Sequence, residues 1–296
     1  MRRILSALAA FLLAAAPACA GTLTLDGPME QGGLIRGKVD PGASVSLDGA
    51  PVRVAPDGHF ILGFGRDAPD HAALDVVYRD GSKEHRDLSV AARQYDTRNI
   101  TGLPEDQVSP GPELLERIKR ENGEAAAARN INSNLLFFET RFIWPVTGPI
   151  SGVYGSQTIL NGQPRAPHMG VDIAAPPGTP IKAPAAGTVT LAEKDFFMTG
   201  GTVMIDHGYG LSTVYFHMSR LNVRLGEKVA QGQVIGAVGA TGRATGPHLH
   251  WGLNWYQLRL DPALVAGPMP APSPASGDAA RTTAPGGDAP GVQPPH

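Results

Sequence analysis

The chain runs to 296 residues, with 25 basic and 27 acidic side chains and a formal net charge of −2. That length suits two domains with tails, and so even a balance excludes the broad basic face of a nucleic-acid binder and a polybasic membrane contact. Glycine (37) and proline (27) are abundant, which predicts many tight turns, short strands and at least one unstructured segment.

At the start, "MRRILSALAAFLLAAAPACA" sets two arginines before an apolar run and ends on Ala18-Cys19-Ala20. Residues 1–20 therefore read as a secretory signal cleaved after Ala20, too short and too Ala-rich for a membrane span. Cys19 is the only cysteine, so the exported chain works without disulfides or thiol chemistry. An acylated Cys19 is the competing reading. Ala16 and Pro17, however, stand where a lipoprotein signal usually carries Leu and a small or β-branched residue.

Residues 21–95 alternate apolar and polar side chains in "TLTLDG", "LIRGKVD", "ASVSLDG" and "PVRVAPDGHFILGF". Asp-Gly and Pro-Gly turns separate these runs, and the pattern predicts a small Ig-like β-sandwich. His59, His71 and His85 lie among turns and charges and are expected to be solvated. Residues 96–133 read as a linker, within which "SPGPELLERIKRENGEAAAARN" changes to a helical period. Pro112 suits the first turn, Leu114, Leu115 and Ile118 form a stripe, and Glu113/Arg117 and Glu116/Arg120 are favourable i,i+4 pairs. A connecting helix is expected.

Residues 134–266 return to short, glycine-punctuated strands, among them "GTVTLAEKDFF", "GGTVMIDHG", "LSTVYFHM" and "HLHWGLNW". The fold class is thus all-β and mainly antiparallel. Residues 267–296 hold 13 Gly or Pro in 30 positions and read as a disordered tail, with too little apolar surface to offset the ordering of a backbone.

The chemistry concentrates in the second β-unit. In "ATGPHLHWGL" an extended run places His248 and His250 on one face and Leu249 and Trp251 on the other. "PHMGVD" offers His168 and Asp172, an even spacing that also shares a face in a strand; Gly170 and the following "AAPPGTP" argue against a helix. "TVYFHMS" offers His217 and "IDHGYG" offers His207. A hydrolytic zinc takes three ligands from His and Asp/Glu and leaves one position to water. His168, Asp172 and one histidine of the H-x-H pair meet that need. Two imidazoles remain, His217 and the other member of the pair, to move protons where no H-E-x-x-H glutamate exists.

"HMGVD", "FHMS" and "GPHLH" together resemble the lysostaphin/LytM-type zinc metallopeptidases, the M23 family, over about Trp144 to Pro262. The resemblance implies His168, Asp172 and His250 as ligands of one Zn2+ per chain, and His217 and His248 as catalytic histidines. One of these two would help activate the attacking water and the other would stabilise the tetrahedral oxyanion. His207 matches a recurring "DHG" that is not a ligand in the family. Trp251-Gly252 departs from the Phe-Glu that many relatives carry there, which leaves no carboxylate at that point. Tyr154 is the only tyrosine in the loop before the first ligand and is not assigned a role. The implied activity is an exported zinc endopeptidase acting on peptide stems or cross-bridges of peptidoglycan, in the periplasm or cell envelope, without an integral membrane span after signal cleavage. Its oligomeric state is open.

Two rivals stand beside this. A catalytically silent cell-wall regulator on the same fold would have lost ligands, whereas this chain keeps the whole set. A lipoyl- or biotin-type carrier is suggested by "KAPAAGTV" and "GEKVAQGQVIG", but no lysine occupies a suitable hairpin tip between them.

Overall fold

The Asp-Gly and Pro-Gly punctuation of residues 21–95 becomes seven short strands. The computed structural model describes residues 21–100, 111–160 and 162–270. The expected signal with Cys19, positions 101–110 of the linker and the tail from residue 271 lie outside the described residues. Strands β1 (Leu23–Asp26), β2 (Leu34–Val39), β3 (Ser44–Leu47), β4 (Ala50–Val52), β5 (His59–Gly63), β6 (His71–Val77) and β7 (Lys83–Ser89) form two antiparallel sheets, β1-β2-β5 and β4-β3-β6-β7. Alternate residues of both sheets meet in one core, with Ile35, Phe60 and Leu62 from one facing Val45, Leu74 and Val76 from the other.

The expected linker is more than a tether. It begins with β8 (Thr97–Ile100), continues beyond the undescribed stretch as α1 (Pro112–Arg129), and reaches a 3-10 turn at Phe137–Glu139. Pro112 does start the helix, and Arg129 sits in its last turn. The ion pairs differ from the expected ones: Arg117 bonds Glu121 at 2.6 Å and Arg120 lies 3.8 Å from Glu124. The reason is tertiary, since Glu121 is buried and its second oxygen accepts the Phe197 N–H at 2.7 Å. Of the expected stripe, Leu114 and Ile118 are half-buried and Leu115 is exposed.

The second unit comprises β9 (Ile150–Gly152), β10 (Gln157–Leu160), β11 (Gln163–Pro164), β12 (Val171–Ala174), β13 (Pro180–Lys182), β14 (Gly187–Phe196) and β15 (Gly200–Gly208). It continues with β16 (Leu211–Met218), β17 (Arg220–Leu221), β18 (Lys228–Val229), β19 (Val234–Ala237), β20 (His248–Trp255), β21 (Leu258–Leu260) and the short α2 (Pro262–Ala266). One large sheet runs β18-β14-β15-β16-β20-β12-β9, with β21 on β20; β13-β19-β17 makes a smaller sheet, and β8 joins β10 and β11 in another. β15 is buried along its whole length because both faces are covered. Val203, Ile205, Tyr215, Leu249 and Trp251 fill the core on one face, while Met204 and Val214 on the other pack with Ala128 of α1.

The two units share a further core in which Leu34 and Ile61 meet Phe138, Phe142, Leu253 and Leu260. Polar links reinforce the seam: Arg93 Nη1 bonds Asp261 at 2.9 Å, Arg36 Nε donates to the Phe138 carbonyl at 2.7 Å, and Arg66 Nε to that of Gly155 at 2.8 Å. Gly267 and Met269, expected at the start of the tail, also pack inward. The Trp144 indole donates to the Gly267 carbonyl at 2.9 Å, and Met269 packs against the main core.

Candidate metal and catalytic site

Register places the chemistry. β20 lies between β12 and β16, with His250 opposite Asp172 on one side and Phe216 on the other. Cross-strand partners share a face, so the side chains of Asp172, His250 and Phe216 stand together while Leu249 and Trp251 enter the core. Phe216 stacks on the His250 ring, with centroids 4.8 Å apart and planes 7° apart. His168 arrives from the loop before β12, not from an extension of that strand. Its position is set by Nδ1, which donates to the Val153 carbonyl at 3.0 Å.

Two glycines make room. A Cβ on Gly170 would sit 2.7 Å from His250 Nε2, and one on Gly152 would sit 2.4 Å from Asp172 Oδ2. Neither position admits a side chain without displacing a site residue. Gly170 is visible inside "HMGVD"; Gly152 carries no signal in the sequence.

His168 Nε2, His250 Nδ1 and Asp172 Oδ1 converge at one point. The separations are 2.9 Å between the two nitrogens and 3.0 and 2.9 Å from each to the oxygen. Because the only N–H of a neutral His168 is engaged by Val153, its Nε2 presents a lone pair to the carboxylate and to the second imidazole. Such a set has more lone pairs than protons to share and suits a bound cation. Ligand atoms of a tetrahedral zinc with bonds of about 2.0 Å sit roughly 3.3 Å apart, close to what is observed, so the donor set fits that metal. A second proton, on His168 Nε2, can take the cation's place: burial alone would raise the Asp172 pKa, but hydrogen bonds from His168 in that protonated form and from His250 hold the carboxyl well below the usual carboxylate range. Burial pushes His250 down to about 4, which keeps it neutral. At His168 burial opposes the charge, yet the bond to Asp172 raises its pKa on balance.

His217 and His248 stand beside this group. Their rings are 4.7 Å apart, and His248 Nε2 lies 3.9 Å from Asp172 Oδ1. Each donates Nδ1–H to a backbone carbonyl at 2.8 Å, His217 to Thr241 and His248 to Gly246, which fixes the tautomer and leaves Nε2 as acceptor. Burial lowers the His217 pKa. His217 has φ +62°, the left-handed region that a non-glycine residue enters only under constraint. A regular β16 would aim it into the core beside Tyr215; the kink turns it toward Phe216 and His248 instead.

His207 is elsewhere, fully buried, with Nδ1–H donated to the Ala186 carbonyl and Nε2 accepting from Thr213, both at 2.8 Å. Tyr154 is also buried, and its hydroxyl donates to the Arg259 carbonyl at 2.8 Å. Gly252 lacks room for a larger residue, since a Cβ there would sit 2.8 Å from Val214 Cγ1. Of the three N-terminal histidines expected to be solvated, His71 and His85 are exposed beside Asp87 and Asp75. His59 is instead half-buried, 3.1 Å from Asp57 and 3.3 Å from Glu139.

Comparison with known proteins gives four matches. The family model described as Peptidase family M23 matches residues 166–262. A crystal structure described as a peptidase M23 of Pseudomonas aeruginosa is 35% identical and superposes with a TM-score of 0.62, over 80% of this chain and 95% of that one. Among curated proteins, "DD-carboxypeptidase/endopeptidase Mpg" of Neisseria meningitidis is 44% identical over 103 residues, 35% of this chain and 24% of that protein. "Peptidoglycan DD-endopeptidase ShyC" of Vibrio cholerae is 38% identical over 141 residues, 48% of this chain and 28% of that protein. The chain thus spans about a quarter of the length of the curated relatives it matches.

Proposed function

The chain belongs to peptidase family M23, and from that premise we propose that it is a zinc-dependent endopeptidase cutting peptide stems or cross-bridges of peptidoglycan in the cell envelope. The observation that carries this reading is the convergence of His168 Nε2, His250 Nδ1 and Asp172 Oδ1 beside two histidines of fixed tautomer. The names of the Neisseria and Vibrio relatives support the substrate class. The signal-like first twenty residues support export, and among the described residues no helix is long and apolar enough to cross a membrane.

His168, Asp172 and His250 would hold the metal, one ion per chain. When bound, zinc supplies a Lewis acid that polarises the peptide carbonyl and brings a water pKa down toward about 7. His217 and His248 do the proton work: with Nδ1 engaged by a backbone carbonyl, each turns Nε2 outward to take the proton released in the attack and return it to the leaving amine. Once protonated, the same Nε2–H donates to the developing oxyanion. Phe216 covers one face of His250 and limits the water around it.

The test is digestion of purified sacculi with zinc-loaded protein. Muropeptides of reduced cross-linking or shortened stems are expected, with release abolished by a chelator and restored by zinc. Sacculi left intact by protein carrying one zinc per chain overturn the proposal.

A further inference from the structure

The face of the sheet that carries His250 continues into a cleft of about 430 Å3, walled on its far side by α1. Phe216 and Met169 give it an apolar lining, and two arginines line it as well: Arg129 from the last turn of α1 and Arg259 from β21. Neither has an acidic partner among the described residues. Arg129 Nε donates to Gln257 Oε1 at 3.1 Å and Arg259 Nη1 to Asn254 Oδ1 at 3.0 Å, both neutral amides. Glu121 lies on the same wall, but Arg117 and the Phe197 N–H already engage its two oxygens.

Two cations side by side, partly removed from water and without a counter-charge, oppose folding. Burial, with the charge of Arg259 adding to it, pushes the Arg129 pKa down to about 10, and burial lowers that of Arg259. The fold nevertheless holds both in place. The Tyr154 hydroxyl anchors the Arg259 carbonyl, and Gln257 is tied to the Ala126 carbonyl at 2.9 Å and to Asn130 Oδ1 at 2.7 Å at the end of α1. With five N–H groups each, the two arginines have donors to spare for a planar anion.

We propose that Arg129 and Arg259 form a carboxylate-binding subsite that grips a free acid group of the peptide substrate next to the bond being cut. The inference rests on the peptidase reading, and it adds the feature of the peptide that the cleft selects. Stem peptides carry free carboxylates on their acidic and diamino-acid residues, whereas an ordinary protein segment offers one only at acidic side chains or its end. An apolar floor under a doubly cationic wall suits an alkyl chain that ends in a carboxylate.

The test measures binding separately from cleavage. Zinc-loaded full-length protein is titrated by calorimetry with a synthetic stem tetrapeptide, once with its carboxylates free and once with them amidated. Wild type is expected to favour the acid by on the order of 10-fold. Arg129→Gln and Arg259→Gln should each erase that preference while binding the amidated peptide as before, and Arg129→Lys should restore part of it. With cross-linked muropeptide dimers as substrate, the Gln variants should raise KM more than they lower kcat. The urea midpoint of each variant checks folding, and the Lys variant keeps the test open should a Gln variant unfold. Equal binding of acid and amide by wild type, or a preference surviving in both Gln variants, overturns the subsite. A wild type that prefers the acid yet leaves sacculi intact sinks the hydrolase reading and leaves the subsite standing. Digested sacculi with no acid preference do the reverse.

Discussion

The two faces of the sheet around β20 are built from alternate residues of the same strands and serve opposite ends. On one face Leu249, Trp251, Tyr215 and Val203 are buried in a dry core. On the other, His250 and Asp172 present lone pairs while Phe216 stacks on the imidazole and lines a half-open cleft. Stability therefore resides on the first face and chemistry on the second, a single residue apart along the chain. His207 marks the boundary of this rule, because it has the residue type of the site but the environment of the core. Both of its nitrogens are satisfied inside the fold.

Substitutions on each face can break or sharpen that contrast. The largest effect is expected at His250→Ala, which removes a donor to the metal. Zinc content by mass spectrometry should fall well below one per chain and muropeptide release should drop at least about a thousand-fold. The urea midpoint of metal-free protein should fall less than in the core variant below; full zinc occupancy in this variant would erase the distinction between the faces. One residue on, Trp251→Ala should do the opposite and cost about 4 kcal/mol of unfolding free energy. Trp251 is fully buried and packs edge to face against Trp144 at 5.4 Å. A loss under about 1 kcal/mol would mean that the core face carries far less than its burial implies.

His217→Ala comes next, a loss of on the order of a hundred-fold or more in kcat with zinc still bound. That outcome separates proton transfer from metal holding, and retained activity would assign the task to His248 alone. The smallest effect belongs to His207. Burial depresses its pKa to about 4, below the value of about 6.5 expected for the unfolded chain. The unfolded chain therefore binds the proton first, and the stabilisation is complete above about pH 6.5. It falls away as the pH drops toward 4, by about 3 kcal/mol in all. Urea unfolding at pH 7 and pH 4.5 should show that slope in wild type and a shallower one in His207→Gln. Identical slopes would place the acid sensitivity in the cleft histidines.

Asp172 and the H-x-H pair were legible because they lie on strands, whereas His168 lies in the loop before β12 and was singled out by the resemblance of "HMGVD" to the M23 pattern. H-x-H puts two side chains on one face by the period of 2, and the strand around it is long and strongly alternating. Alternation and turn chemistry also located the N-terminal strands to within a few residues, and Pro112 located the start of α1. The i,i+4 pairs of that helix were misplaced because Glu121 answers to the Phe197 N–H, 76 residues away. His59 was misread in the same way, since the Glu139 beside it arrives from the other unit.

Local periodicity thus determined which residues share a strand face, and with it the placing of Asp172 and His250 side by side. Tertiary structure alone decided three other matters. It turned His217 through a left-handed kink into the cleft, it joined two expected domains through a common core, and it brought Arg129 to Arg259 across 130 residues of chain. Such contacts depend on how whole elements pack, and packing between distant segments leaves no period in the sequence to be read.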